Sequence, residues 1–371
     1  MAKFVKNLKF ESLMNKLYRL LVLLPLVAVS CAHPATHGRD TIPLVKDIVS
    51  GSEAALAGIT SEYGKPLPAE EIFLAGSPDY TFRLAGKFLE ADIFDNIRGG
   101  SWSDGLSDFA GETFSSIGDN TFSPYSGLEP EKLRELAVRY AVAALDTKCN
   151  VSIYDLDGNA AKSSAKVLVL SDPWLCEYGK FDIDTLFTLT GVTVPVISPQ
   201  DLMFDAVFGG ERKAFNVGII CDSTYVGTGI YPAIFRSKAA EHGLVGANCF
   251  EGTGSLHAFL DQYLAAGNTV PIDAILVDDL TLDPAALNEE LAAIRDFSRE
   301  ESMKYGKAIA PTLEITDSYI LTLRECYRIL RSSGLFTHKI ARPDSKYYSV
   351  KPRPETEGTQ FLLIPVNDVQ N

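Results

Sequence analysis

The sequence predicts an α/β fold of two lobes, each built around a mostly parallel sheet. Three observations lead there. Short apolar runs recur along the chain, each closing on small or polar residues and followed by a helical pattern, which is the rhythm of strands joined by helical crossovers. The length of 371 residues is that of two domains at about 150 residues each. The composition, 46% hydrophobic and 22% charged, suits a chain that buries a core and excludes a disordered or collagen-like protein. Six cysteines in this length exclude a disulfide-dense one.

Residues 1–30 come first and read as an address. Lys3, Lys6, Lys9, Lys16 and Arg19 stand against the single Glu11, and the ten apolar residues Leu20 to Val29 follow. That run falls short of the roughly 20 residues a spanning helix needs and has the dimensions of a signal-peptide core. It closes on Ala28-Val29-Ser30-Cys31, which resembles the lipobox of bacterial lipoproteins. The resemblance implies that Cys31 is lipidated and becomes the new N-terminus, holding the protein to a membrane through acyl chains. Ala32 in place of Asp after the cysteine implies the outer membrane, facing the periplasm.

Residues 31–64 form a tether and N-terminal segment, in which Pro34 and Gly38 deny His33 and His37 the helix that would bring them together on a metal. The first lobe spans 65–200, with strands expected at Ile72–Ala75, Val167–Leu170 and Val194–Ile197 and helices at 80–92, 129–145 and 183–190. Within it, residues 95–128 are rich in Gly, Ser, Asp and aromatics without a sustained period, and read as an ordered insertion over the lobe. The second lobe spans 201–341, with strands at Val217–Ile220, Ala274–Val277 and Ala308–Ala310 and helices at 229–242, 255–266, 284–304 and 317–333. Residues 342–371 are an extended tail with a final strand at Phe361–Val366.

Without residues 1–30 the chain loses five basic residues and one acidic one, so the net charge moves from −14 to about −18. A body of that charge repels phosphate backbones, and nucleic acid is excluded as a partner. Among Cys149, Cys176, Cys221, Cys249 and Cys326 no CxxC or Cys/His spacing appears, so no metal site is expected and small buried hydrophobes are the default reading. Gly227-Thr228-Gly229 and Gly252-Thr253-Gly254 do not extend to a nucleotide-binding fingerprint, and Asp155-Leu156-Asp157-Gly158-Asn159 lacks the ligand spacing of a calcium loop. No cofactor is expected.

Ligands of open α/β sheets gather at the carboxyl ends of the strands. Those ends carry Ser77, Asp79 and Tyr80, then Asp172 and Trp174, then Asp222, Thr224 and Tyr225, and finally Asp278. Carboxylates accept hydrogen bonds and aromatic rings stack on sugars or cations, so the set suits a small hydroxylated or cationic ligand.

The segment Phe215 to Leu280 resembles the C-terminal lobe of type I periplasmic binding proteins. It holds Phe215-Asn216-Val217-Gly218-Ile219-Ile220-Cys221-Asp222, a helix from Tyr231 to His242 and Ile272-Asp273-Ala274-Ile275-Leu276-Val277-Asp278-Asp279. Leu189 to Ile197 is similar to the strand closing their first lobe. The resemblance implies two Rossmann-like lobes hinged near 198–204, with the strand ends lining a cleft that closes on ligand. The leading expectation is therefore an envelope-anchored lipoprotein that binds a small polar ligand between its lobes.

The alternative is an α/β enzyme of the envelope, either a cysteine-based isomerase or racemase or a hydrolase using strand-end carboxylates. Cofactor-independent amino-acid racemases set one cysteine opposite another, and Cys221 with Cys249 are the candidates here, although their Cys-Asn-Thr and Gly-Cys-Thr patterns are missing. A third reading is an assembly role with an envelope protein as partner.

Overall fold

The computed structural model describes residues 39–96, 100–210, 214–356 and 358–366. The signal-peptide segment 1–30, Cys31 and the tether residues to 38 lie outside them. From Thr41 onward the chain forms one compact unit. None of the described helices is long and apolar enough to cross a membrane.

Helices α1 (Pro43–Ser50) and α2 (Ala54–Glu62) precede β1 (Glu71–Gly76), α3 (Pro78–Leu89), β2 (Thr113–Gly118) and α4 (Pro130–Leu145). A small ribbon of β3 (Lys148–Cys149) and β4 (Ala160–Ala161) leads to β5 (Ala165–Leu170), α5 (Pro173–Thr190), β6 (Val196–Ile197) and α6 (Pro199–Phe208). There follow β7 (Asn216–Cys221), α7 (Ile230–Glu241), β8 (Asn248–Gly252), α8 (Leu256–Ala265), β9 (Ile272–Asp278), α9 (Pro284–Arg295) and α10 (Glu300–Tyr305). The chain ends with β10 (Ile309–Asp317), α11 (Ser318–Ser332), β11 (Asp344–Pro352) and β12 (Phe361–Pro365).

Proline recurs at the start of these helices, opening α3, α4, α5, α6 and α9. Its fixed φ suits the first helical turn, where its missing N–H costs nothing. Asp172, Asp283 and Asp317 cap α5, α9 and α11 with side-chain oxygens, and Asp172 and Asp317 do so at strand ends.

The strands form two main sheets. The first runs β12-β11-β2-β1-β5-β6, parallel except for the β11–β12 pair, and the second runs β10-β9-β7-β8, parallel throughout. Each central strand is buried on both faces, as helix-covered parallel sheets require. In β1, Phe73 and Ala75 pack with α1, α4 and α5, whereas Ile72 and Leu74 face α3 and α11. In the second sheet Val217 and Ile219 face α6 and α7, and Ile220 faces α8. The fold is thus the expected mixed α/β architecture of two Rossmann-like lobes.

Several expected elements shift. The stretch 95–128, read as an insertion, contributes β2, a central strand between β1 and β11. Its polar Ser115 and Ser116 are nonetheless buried, and Ser115 donates to the Glu71 carboxylate. Residues 198–204, read as a hinge, lie at the start of α6. The helix expected at 183–190 begins ten residues earlier, at Pro173, and the one expected over 284–304 divides into α9 and α10.

At the end of the first sheet where β5 begins, a buried ion pair ties distant segments together. Lys166 Nζ lies 2.6 Å from the Glu112 carboxylate with both side chains buried, and donates to the carbonyls of Pro68 (3.0 Å) and Leu335 (2.9 Å). The other Glu112 oxygen accepts the Thr337 N–H at 2.8 Å.

Candidate functional site

The carboxyl ends of the two sheets meet, and what joins them is a reciprocal exchange of tyrosines and aspartates. Tyr80, on α3 of the first lobe, donates its hydroxyl to Asp278 Oδ1 at the end of β9 in the second. Tyr225, in the loop after β7 of the second lobe, donates to Asp172 Oδ2 at the end of β5 in the first, at 2.8 Å.

Asp278 is wholly buried and receives four hydrogen bonds. Besides Tyr80, the hydroxyl of Ser318 donates to Oδ1 at 2.6 Å, and Gln200 Nε2 and the Tyr231 hydroxyl donate to Oδ2 at 2.6 Å each. These donors come from α3, α6, α7 and α11, and they fill the acceptor positions of the carboxylate. Asp172 accepts the Trp174 N–H at 3.0 Å as the cap of α5, and the Ser77 hydroxyl close by favours the charged forms of Asp172 and Tyr225. Tyr225 and Tyr231 meet edge to face, with centroids 6.2 Å apart.

Burial sets the protonation chemistry. Loss of hydration pushes Asp172 up to about 6, against the relief given by its bonds from Tyr225 and Trp174, and the nearby Asp278 charge adds to the rise. The same cause pushes Asp317, the cap of α11, up to about 7. The hydroxyls of Tyr80, Tyr225 and Tyr231 are raised by burial and by the facing carboxylates, so they remain protonated donors. A carboxylate that exchanges its proton near neutrality beside fixed hydroxyl donors is the equipment of general acid–base chemistry.

Of the strand-end residues picked out in the sequence, Ser77, Tyr80, Asp172, Tyr225 and Asp278 come together in this cluster. The others do not join it. Asp79 is exposed and pairs with Arg83 one helical turn on, at 2.8 Å. Asp222 accepts the Thr224 N–H and hydroxyl at 2.9 and 2.8 Å, so these two close their own loop. Trp174 contributes its backbone N–H, while its indole stacks on Tyr178 at 6.0 Å and packs against the apolar cores.

Cys221 and Cys249 do not face each other across the lobes. They lie on the adjacent strands β7 and β8, and Cys249 pairs with Val217, which places it about 13 Å along the strand from Cys221. Burial raises the Cys221 thiol and pushes Cys249 up to about 11, so both are held toward the protonated form. The five described cysteines are all free, and no group of metal-ligating side chains occurs among the described residues. Asp155 accepts the N–H groups of Val151 and Asn159 at 2.8 and 2.9 Å, closing the turn in which it lies.

Gln200, Tyr231, Asp317 and Ser318 belong to the site and were not picked out. Gln200 lay in the stretch read as a hinge, and Tyr231 at a helix start. Asp317 ends β10, which runs on to it through the alternation Leu313, Ile315, Asp317, and Ser318 follows at the start of α11. Extending that strand past Ala310 would have exposed another Asp-Ser strand end.

No family model and no curated protein matches the sequence. Among solved structures, the chain is similar to glutamate racemase from Francisella tularensis in complex with D-glutamate, at 12% identity and a TM-score of 0.43 over 76% of this chain and 89% of that one. It is also similar to glutamate racemase from Thermus thermophilus in complex with β-chloro-D-alanine, at 16% identity and a TM-score of 0.43 over 78% and 90%. An aspartate racemase homologue from Pyrococcus horikoshii matches at 14% identity and a TM-score of 0.34 over 71% and 99%.

Proposed function

We propose that this chain is an α/β enzyme that moves a proton on a small polar molecule held between its lobes, an isomerase working through carboxylates and tyrosines. The observation that carries the reading is the reciprocal pair, Tyr80 on Asp278 and Tyr225 on Asp172. It sets one buried carboxylate at a strand end of each lobe and backs each with a hydroxyl from the other.

In this reading Asp172, poised near neutrality, takes a proton from a carbon of the substrate as general base. A hydroxyl bonded to Asp278, that of Tyr80 or Tyr231, returns one to the opposite face, and the carbon centre is inverted.

The test is solvent exchange. The full chain, incubated in D2O with amino acids, hydroxy acids and amino sugars, is expected to place one deuterium on carbon of its substrate, read by mass spectrometry. Glutamate and aspartate belong in that panel because they are named for the similar structures. Thermal stabilisation by a compound that takes up no deuterium would return the protein to the binding reading.

We also propose that Cys31 is acylated and holds the protein at the outer membrane, on the strength of the Ala28-Val29-Ser30-Cys31 sequence after a ten-residue apolar run. Labelled fatty acid should enter the full chain in bacterial cells and not its Cys31→Ala variant. Equal labelling of both would sink the assignment.

A further inference from the structure

A cavity of about 560 Å³ opens near the amino-terminal ends of β2 and β11, the end of the first sheet away from the interlobe cluster. Leu106, Ala110, Tyr327, Phe336, Ile340 and Ala341 give it an apolar lining, and its volume is that of a small-molecule site. Ile340 is fully exposed and Leu106 about half exposed. Two large aliphatic side chains bordering one opening mark a contact surface.

Both walls are held in place. On one side the Leu335 carbonyl accepts from Lys166 Nζ at 2.9 Å and the Thr337 N–H donates to Glu112 at 2.8 Å, which fixes Phe336 between them. Gly111, at φ 78°, lets the next residues pack close, since a Cβ there would meet the Lys339 carbonyl oxygen at 2.1 Å. On the other side Asp108 accepts the N–H groups of Ile93 and Phe94 at 2.6 and 3.2 Å, and Asn96 Nδ2 donates to the Ser107 carbonyl at 3.2 Å. Phe94 stacks on Tyr327 with centroids 4.2 Å apart and joins the two walls. A cavity fixed in this way loses little freedom when a ligand enters.

Of the polar side chains along it, all but one are engaged or closed off. Asn96 Oδ1 receives the Tyr327 hydroxyl at 3.2 Å, both Asp108 oxygens are bonded as above, and the Ser107 hydroxyl is shut away from solvent. The nearby Asp92 and Asp104 spend their oxygens on the Ser103 hydroxyl and on the N–H groups of residues 96 and 104–106. Arg342 lines the same cavity, is exposed, and has no hydrogen bond or ion pair from its side chain to the described residues.

From these observations we infer that the cavity is a second binding site, for a small carboxylate with an apolar body. The body lies against Tyr327, Phe336, Leu106 and Ile340, and the carboxylate pairs with the Arg342 guanidinium, whose fork of donors matches it. An ammonium would meet like charge at Arg342, and a neutral compound would leave the guanidinium unpaired. The inference does not depend on any reaction at the interlobe cluster.

The experiment is calorimetry on the full chain with three probes that differ only in charge: phenylbutyrate, phenylbutanamide and phenylbutylamine. Phenylbutyrate is expected to bind, the amide at least tenfold more weakly, and the amine not at all. Arg342→Gln, on the exposed rim, should bring phenylbutyrate down to the level of the amide while leaving the amide unchanged. Ala110→Trp fills the cavity and should abolish binding of both, with thermal melting confirming that each variant is folded. Absence of phenylbutyrate binding, equal or tighter binding of the amide or the amine, or unchanged phenylbutyrate affinity in either folded variant would each overturn the inference.

Discussion

Asp172→Asn should lower deuterium exchange by about 10²- to 10⁴-fold, the range a positioned general base supplies, and at the same time make the folded protein more stable at pH 8. The two effects have one cause. Burial pushes Asp172 up to about 6 from an ordinary 3.8, so the folded site prefers the neutral carboxyl. That preference favours folding while the unfolded chain is also protonated, below about pH 4. It is lost as pH rises through about 6, and above that the fold carries a buried charge.

At 1.36 kcal/mol per pKa unit the cost above neutrality is at most about 3 kcal/mol. Asparagine keeps one oxygen for the Trp174 N–H, can donate its amide N–H to the Tyr225 hydroxyl oxygen in place of accepting from it, and has no charge to bury. Thermal melting across pH should therefore show the variant above the parent at pH 8 and level with it at pH 4. A variant less stable at pH 8 would mean that the charged bonds to Tyr225 and Trp174 outweigh the burial cost.

Lys166→Met should be the most damaging single change to the fold, about 3–5 kcal/mol, because it leaves the Glu112 charge buried without its partner. It also removes the donor to the carbonyls of Pro68 and Leu335. Adding Glu112→Gln removes the stranded charge while keeping an oxygen for the Thr337 N–H, and should recover a large part of the loss. Urea midpoints of the parent, both single variants and the pair give the coupling directly. If the double variant lost as much as the two single ones summed, the pair would not be coupled.

What was legible in the sequence followed from local pattern. The runs at Ile72–Ala75, Val167–Leu170, Val217–Ile220 and Ala274–Val277 are strands because both faces of a parallel sheet demand apolar side chains. The strand-end rule then led to Asp172 and Asp278 before any contact was known. What stayed hidden depended on partners far along the chain. In β2, Thr-Phe-Ser-Ser-Ile-Gly reads as a loop until Glu71 is seen to receive the Ser115 hydroxyl. Lys166 interrupts an apolar strand and gains its meaning from Glu112, 54 positions earlier. Gln200 has no local signature, because its role comes from a hydrogen bond to a residue 78 positions away. Cys221, prominent at its strand end, is buried in the core of the second lobe, a depth that only the packing around it reveals.

The order in which the sheets are assembled bears on how the chain can be made. All four strands of the second sheet come from residues 216–317, while the first sheet is finished by β11 and β12, the last strands in the sequence. A growing chain can complete its second lobe while the first still has β2 as a bare edge, its backbone groups unpaired until residue 344 arrives. Such an edge invites pairing with neighbouring chains. The first half of this protein is thus the part that must be shielded during synthesis, and a product cut short before its final thirty residues would carry that open edge permanently.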